Sequence, residues 1–221
     1  MSRLYIIGII ILLILIGMVA TAYTIYSLTN RRDYTARYRD DLLKLYDHIS
    51  KTGKMDDELY YKLMQDVNKI QLELGKDGIA SVYQDRLAGI QINNYPLFLN
   101  LFNDLRSEMM DYGLFAERIY LAIGSCDEAL VKHLGNLNEA IQLAKKRIFN
   151  PFYCFSKGIN CIISFPIKIL EWAGIINGAA SGRVLNSRVY DVFSKIVVLL
   201  GLIASIMTII LGWDQVVNII T

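Results

Sequence analysis

The chain has few of the residues on which many familiar protein sites depend. Its 221 residues include three cysteines, two histidines and three prolines. Cys126, Cys154 and Cys161 are odd in number, so we expect no disulfide framework. Cys154 and Cys161 are seven residues apart and could share a helix face, but a zinc site needs four closely spaced ligands. Buried, inert thiols are the first interpretation of these cysteines, and palmitoylation near the membrane is the alternative. His48 and His133 are far apart in the sequence, and no H-E-x-x-H motif occurs. We therefore expect no metal site and no cofactor.

Several motifs with a defined chemistry are also missing. The sequence contains no G-x-x-x-x-G-K-[ST], no G-x-S-x-G and no G-x-G-x-x-G. The acidic run Asp56 to Glu58 lacks the spacing of a calcium loop and is typical of the first turn of a helix. Residues 31–150 carry 17 Lys and Arg against 18 Asp and Glu, so no basic excess favours nucleic acid. We expect neither enzymatic activity nor nucleic-acid binding.

What the chain has in excess is hydrophobic sequence. Hydrophobic residues make up 54% of it and charged residues 20%, a composition that excludes intrinsic disorder. Leu4 to Leu28 is an uncharged run of 25 residues, which as a helix would be about 37 Å long. Ile196 to Trp213 is a second uncharged run, of 18 residues. These two runs predict two transmembrane helices.

The first run has a competing interpretation as a secretory signal peptide. Ala20-Thr21-Ala22 has the A-x-A form of a cleavage site. The apolar run continues beyond it to Leu28, and its N-terminal flank offers a single Arg3, so we expect a retained anchor.

Basic residues near the two runs predict their orientation. Arg3 precedes the first run, whereas five basic residues follow it within about 16 positions: Arg31, Arg32, Arg37, Arg39 and Lys44. Arg183, Arg188 and Lys195 precede the second run, and none follows it. Both counts predict an inner or plasma membrane protein with the middle of the chain in the cytoplasm and both termini outside.

The middle of the chain, residues 31–150, is predicted to form a helical bundle. Apolar residues recur at helical spacing from Tyr34 to Ile49 and from Leu59 to Leu74. A weaker helix is predicted over Ile79 to Ile90, and a further one starts at Phe98 and runs towards Ile123.

The clearest helix is predicted to begin with a capping box, Ser125-Cys126-Asp127-Glu128. The apolar seam of this helix recurs at alternating steps of four and three, as in a bundle or a coiled coil. It comprises Leu130, Leu134, Leu137, Ile141, Ala144 and Ile148. Packing within its own bundle is the first interpretation, and self-association or partner docking is the second.

Residues 152–176 predict an amphipathic helix with a wide apolar face and a narrow polar stripe. It could cross the membrane, pack in the bundle, or lie in the cytoplasmic membrane interface. A crossing would place Lys168 and Glu171 in the hydrocarbon and Arg183 outside, so we favour the interface. The membrane-interface residues would then be Phe152, Phe155, Lys157, Lys168 and Trp172. Pro166 is expected to kink or split this helix.

Small residues at a spacing of four indicate close helix packing in lipid. Gly201 and Ser205 form such a pair in the second run, and Gly17 and Thr21 form one in the first. They could join helices of one chain or of two copies. Residues 177–186 are predicted to be a flexible linker.

Together these features predict an all-α membrane protein with two antiparallel transmembrane helices, a cytoplasmic helical bundle and an amphipathic interfacial helix. The predicted segments are 1–30 and 188–221 for the transmembrane helices, 31–150 for the bundle, and 151–187 for the interfacial helix and linker. The predicted function is a membrane-anchored scaffold that engages the lipid bilayer and either a cytoplasmic protein partner or its own copies in a homo-oligomer. The alternative is a membrane-perturbing effector that acts through residues 152–176.

Overall fold

The computed structural model describes residues 2–85, 90–108 and 115–220, and it is 86% helical. Its long helices are α1 (Ser2–Thr52), α5 (Phe115–Arg147), α6 (Pro151–Trp172) and α8 (Arg188–Ile220). Its shorter elements are α2 (Asp57–Gln65), α3 (Val67–Leu74), a 3-10 turn (Gly75–Gly78), β1 (Ile79–Asp85), β2 (Ile90–Pro96), α4 (Leu97–Glu108) and α7 (Gly178–Leu185). The prediction of a mostly helical chain is confirmed.

The chain divides into two compact units. Unit 1 comprises Met1–Tyr26 and Leu143–Thr221, and therefore contains the first half of α1 together with α6, α7 and α8. Unit 2 is the continuous stretch Ser27–Gln142. Helices α1 and α5 each begin in one unit and end in the other.

Unit 2 has a closed apolar core. On α1, Tyr38, Leu42, Leu45 and Ile49 recur at steps of four, three and four, and all four side chains are buried. That spacing places them on one face of the helix. They join a continuous cluster with Leu63, Ile70, Phe98, Leu101, Leu105, Cys126 and Leu130. The core therefore draws on α1 to α5.

The prediction of a helix over residues 79–90 is wrong, because this region forms an antiparallel hairpin. Strand β1 pairs with β2, with Ile79 opposite Pro96 and Val82 opposite Asn93. β-branched and aromatic residues favour extended backbone, whereas the weak apolar spacing offered a helix no continuous face to bury. The fold is consequently not strictly all-α.

Helix α5 begins ten residues earlier than the capping box predicts. It starts at Phe115, so Ser125 lies inside the helix, where its hydroxyl donates to the carbonyl of Leu121 at 2.9 Å. A serine that satisfies its hydroxyl on the preceding turn no longer acts as a cap. The sequence pattern was that of a helix start, but the apolar face continues upstream through the buried Ile119 and Ile123.

In unit 1, helix α6 has the boundary that the sequence indicates. The side chain of Asn150 accepts hydrogen bonds from the amides of Phe152 and Tyr153 at 3.0 and 3.2 Å, and Pro151 occupies the first turn. Pro166 lies inside α6 without splitting it, since the helix continues to Trp172. The predicted linker instead contains α7, capped by Asn177.

Two tyrosines on the same face of α1 provide a test of the unit 2 core. The Tyr38 hydroxyl donates to the Leu63 carbonyl at 3.3 Å, whereas the buried Tyr34 hydroxyl has no hydrogen-bond partner among the described residues. We predict that Tyr38→Phe destabilises unit 2 by about 1 kcal/mol, because it removes a buried hydrogen bond to a carbonyl that then keeps only the amide of Asp66, at 3.2 Å. Tyr34→Phe should be neutral or stabilising, since its ring keeps the contact with Lys69. Hydrogen–deuterium exchange of the α1 and α2 amides would measure both, and equal destabilisation would contradict the assignment.

Candidate membrane interface and helix-packing site

The first half of α1 has the length and surface of a membrane helix. One helix among the described residues, Ile7–Thr52, is long and apolar enough to cross a membrane, with a mean hydropathy of 2.5 over its most apolar window. Only 11% of that window is buried. Apolar side chains therefore surround this part of α1 on most sides, as lipid contact requires.

Exposed apolar side chains are concentrated in unit 1. On α1 they include Tyr5, Ile7, Ile9, Ile11, Leu12, Leu15, Val19 and Tyr23; on α6 and beyond, Phe152, Ile162, Phe165, Ile169, Trp172 and Ile175; on α8, Val189, Val192, Phe193, Ile196, Leu199, Leu200, Ile203 and Met207. A soluble protein rarely exposes a continuous apolar surface of this extent. The surface of unit 1 is therefore suited to a hydrocarbon environment.

Within unit 1, α1 and α6 meet at two glycines. A Cβ atom on Gly17 would overlap the carbonyl oxygen of Cys154 and lie 2.6 Å from its carbonyl carbon. A Cβ atom on Gly158 would overlap the carbonyl oxygen of Leu13. Each glycine therefore lies directly against the backbone of the other helix, which no larger residue allows.

The sequence pattern located one half of this contact. Gly17 and Thr21 were recognised as a small pair, and Thr21 is 1% exposed with its hydroxyl donating to the Gly17 carbonyl at 2.7 Å. Gly158 was missed. The available signal was Cys154 and Gly158, a second small pair at a spacing of four on the amphipathic helix.

Helices α6 and α8 meet through a polar contact and a small residue. The Ser194 hydroxyl donates to the side-chain oxygen of Asn160 at 2.7 Å, and Ser194 is buried. A Cβ on Gly201 would lie 3.5 Å from Ile159 and 3.7 Å from Phe155, which is ordinary contact. The side chain of Ser205, predicted to pair with Gly201, lies outside the described residues.

The five residues predicted to form a membrane interface have different surroundings. Phe152 and Trp172 are 70% and 89% exposed, and Lys168 is exposed. Lys157 is half-buried. Phe155 is buried against α8 and faces the interior of unit 1.

In unit 2, the predicted α5 seam is buried at Leu130, Leu137 and Ile141, while Leu134 is half-buried. His133, which is isolated from other metal-binding or catalytic residue types in the sequence, is buried next to this seam on α5. Its Nε2 lies 3.0 Å from a carboxylate oxygen of Glu73.

The same Glu73 carboxylate accepts two hydrogen bonds from the Arg31 Nε, at 2.8 and 3.0 Å. Asp77 lies 3.8 Å from the His133 Nδ1 and accepts from the Asn136 side chain at 3.2 Å. Folding therefore brings α1, α3 and α5 together at a polar cluster that sequence spacing does not reveal, because its members are 42 and 60 residues apart.

A second charged region of unit 2 is a groove of about 500 Å³ lined by residues of α1, α2 and α3. Its principal pairing joins Asp41 to Lys62 at 2.6 Å and to Lys44 at 3.0 Å. Burial alone would raise the pKa of Asp41, but hydrogen bonds from Lys62 and Lys44 outweigh it and hold the pKa below the usual aspartate value. The charge of Asp41 is therefore compensated within the fold by Lys62 and Lys44.

The chemistry available to these clusters is limited. No group of three or more His, Cys, Asp or Glu among the described residues is arranged to hold a metal ion. Comparison of the chain with protein-family models, with curated proteins and with solved structures finds no match.

The glycine contact predicts a large effect of side-chain size. We expect Gly17→Leu and Gly158→Leu to separate α1 from α6, because the new side chain must displace backbone, at a cost of about 1–3 kcal/mol or more. Gly8→Leu is the matched control, since nothing lies within 4 Å of its Cβ position. Thermal stability in detergent, followed by tryptophan emission, should fall for the first two variants and not for the third. Equal behaviour of all three would contradict the contact.

The Asp41 pairing predicts a pH dependence. A carboxylate whose pKa is lowered on folding stabilises the fold above its ordinary pKa of about 3.9, and this contribution is lost as pH falls through the lower folded value. We therefore expect Asp41→Asn to destabilise unit 2 by about 1 kcal/mol at pH 7 and by progressively less below about pH 4. Amide exchange in α1 and α2 would measure it. A difference between wild type and variant that is constant from pH 7 to pH 3 would contradict the pairing.

Proposed function

We propose that this chain is a membrane-anchored helical scaffold or interaction subunit, in which unit 1 holds the protein in a lipid bilayer and unit 2 is presented to a protein partner or to a second copy. The observation that carries the proposal is the contrast between the two surfaces. Unit 1 exposes most of its large apolar side chains, whereas unit 2 encloses a continuous apolar core and forms ion pairs between its helices, although some of its apolar side chains are also exposed.

The pairing of the polar residues in unit 2 supports a binding role over catalysis. The described polar clusters around Glu73 and Asp41 are closed by their own ion pairs and hydrogen bonds. A site that activates a substrate needs groups left open towards it. We therefore place the function of unit 2 on its surface and in the cytoplasm, where the basic residues after the first hydrophobic run favour it.

The alternative, a membrane-perturbing effector acting through residues 152–176, has less support. Such a helix must leave its resting contacts to insert or oligomerise. Helix α6 is instead held by backbone contact with α1 at Gly17 and by the Asn160–Ser194 hydrogen bond with α8. We therefore propose anchoring as the role of this helix.

The most exposed large apolar side chain recorded on unit 2 provides the first test. Leu72 on α3 is 82% exposed, and burying a leucine against a partner contributes about 1.5–3 kcal/mol. We predict that the full chain in nanodiscs associates with its own copies or captures a protein from the native membrane extract, and that Leu72→Glu weakens this at least tenfold. Asn138→Glu, at an exposed polar position, is the charge-matched control.

Two results would contradict the proposal. One is a strictly monomeric chain that crosslinks to nothing in native membranes. The other is release of the protein from membranes by alkaline carbonate, which would show that unit 1 is no anchor.

A further inference from the structure

We propose that the junction of α5 and α6, residues 145–152, binds the headgroups of anionic phospholipids, so that unit 1 recognises a negatively charged bilayer. These residues are called the basic corner, and they lie wholly within unit 1. The inference rests on the anchoring role proposed above, and it names the class of lipid that the anchor prefers.

The two units differ in the sign of their charge. Unit 1 carries nine Lys and Arg against three Asp and Glu, a net charge of +6, whereas unit 2 carries 14 against 18, a net charge of −4. Three of the nine basic residues of unit 1 are consecutive, Lys145, Lys146 and Arg147, and all three are exposed. The positive charge of the proposed anchor is therefore most concentrated at the basic corner.

The charges of the basic corner are not compensated by neighbouring carboxylates. Lys145 and Lys146 form no hydrogen bond or ion pair with the part of the chain that the structure describes. The guanidinium carbon of Arg147 lies 5.5 Å from the centre of the Tyr153 ring, a contact that holds the cation without neutralising it. Three positive charges are therefore open to an anion from outside the chain.

Two exposed aromatic side chains accompany these charges. Phe149 is 85% exposed and Phe152 is 70% exposed. Basic and aromatic side chains on one surface are typical of the boundary of a bilayer, where the rings enter the apolar layer and the cations stay with the phosphates. A purely ionic partner would leave both phenylalanines in water. The combination therefore favours a lipid surface as the occupant.

Stabilisation of the end of α5 does not account for the basic corner. Basic residues in the last turn of a helix do interact favourably with its dipole. The carbonyl of Arg147 already accepts from the Asn150 amide at 3.0 Å, and the carbonyl of Ile148 accepts from the Cys154 thiol at 3.2 Å. The helix end is thus closed by its own chain, and this role gives no reason for the exposed phenylalanines.

The contacts of α6 with α1 give the direction in which the basic corner lies. The carbonyl of Cys154 lies against Gly17, and Gly158, one turn later on α6, lies against Leu13, one turn earlier on α1. Contacts that advance along α6 therefore retreat along α1. The residues that precede Cys154 consequently lie towards Tyr23, at the end of the apolar run that the basic residues follow.

Exposed tyrosines mark the two ends of this apolar run. Tyr5 and Tyr23 are 70% and 71% exposed, and they are 18 residues apart, about 27 Å along a helix. This length is close to the ~30 Å hydrocarbon layer, at whose boundaries tyrosine is enriched. Gly17 is about 9 Å from Tyr23 by the same measure. The long side chains of the basic corner can therefore extend to headgroups on the Tyr23 side.

Quenching by brominated lipids measures which lipid lies next to the basic corner. Phe149→Trp is introduced into the full chain together with Trp172→Phe and Trp213→Phe, and this protein is reconstituted in phosphatidylcholine vesicles. Part of the lipid is then replaced by brominated phosphatidylglycerol or by brominated phosphatidylcholine. We expect quenching to show a preference for phosphatidylglycerol of about fivefold or more, as one basic residue near an anionic surface provides. High salt should reduce the preference.

Two double variants with the same change of charge localise the effect. Lys145→Gln with Lys146→Gln should abolish most of the preference. Lys54→Gln with Lys76→Gln removes two exposed charges from unit 2 and should leave the preference unchanged. Lys145→Arg with Lys146→Arg should retain it, because both charges are kept. Circular dichroism checks that all variants keep the helical content of the parent protein.

The outcomes separate the lipid preference from anchoring. Equal quenching by the two brominated lipids overturns the inference, and so does an equal loss of preference in the two Gln variants. Absence of quenching by either lipid would place the basic corner in water and would also overturn it. Each of these results leaves anchoring intact, whereas release of the chain by alkaline carbonate overturns anchoring itself.

Discussion

The backbone contact between Gly17 and Gly158 is the constraint on which unit 1 depends. Two helices can approach this closely only where both lack a side chain, and the contact then fixes their direction and their relative depth. Once α6 is fixed against α1, its second face carries Asn160, Phe155 and Ile159 to α8. The three helices are therefore ordered by two small-residue contacts and one buried hydrogen bond, without a conventional apolar core.

The two units differ in the kind of side chain that they bury. Unit 2 places Leu42, Leu45, Phe98 and Leu130 in a closed core, where removal from water supplies the free energy of folding. Unit 1 leaves its large apolar side chains on the surface and buries small and polar residues such as Thr21 and Ser194. In lipid, burying an exposed leucine gains no hydrophobic free energy. Close packing and hydrogen bonds therefore determine which helix faces meet.

The sequence predicted the features that local spacing controls. The long apolar helix α1, the core positions Tyr38 to Ile49 and the boundary at Asn150 and Pro151 each depend on neighbouring residues. The sequence did not predict the features that depend on contacts between residues far apart in the chain. Gly158 is important because of Gly17, 141 positions earlier, and His133 is paired because Glu73 returns to it. The hairpin was missed because alternation is hard to recognise when turns and polar residues interrupt it.

The polar residues of unit 2 also indicate how it can act. Glu73 is shared by Arg31 and His133, Asp41 by Lys44 and Lys62, and Asp127 is paired with Arg39 at 2.6 Å. Each carboxylate joins helices that are separate in the sequence, and each is already paired with basic side chains of the fold. Such groups fix the relative positions of α1, α2, α3 and α5, and they leave recognition to side chains that the fold keeps outside its core. Leu72, exposed on a helix whose inner face holds Ile70 and Leu74, is a side chain of that kind.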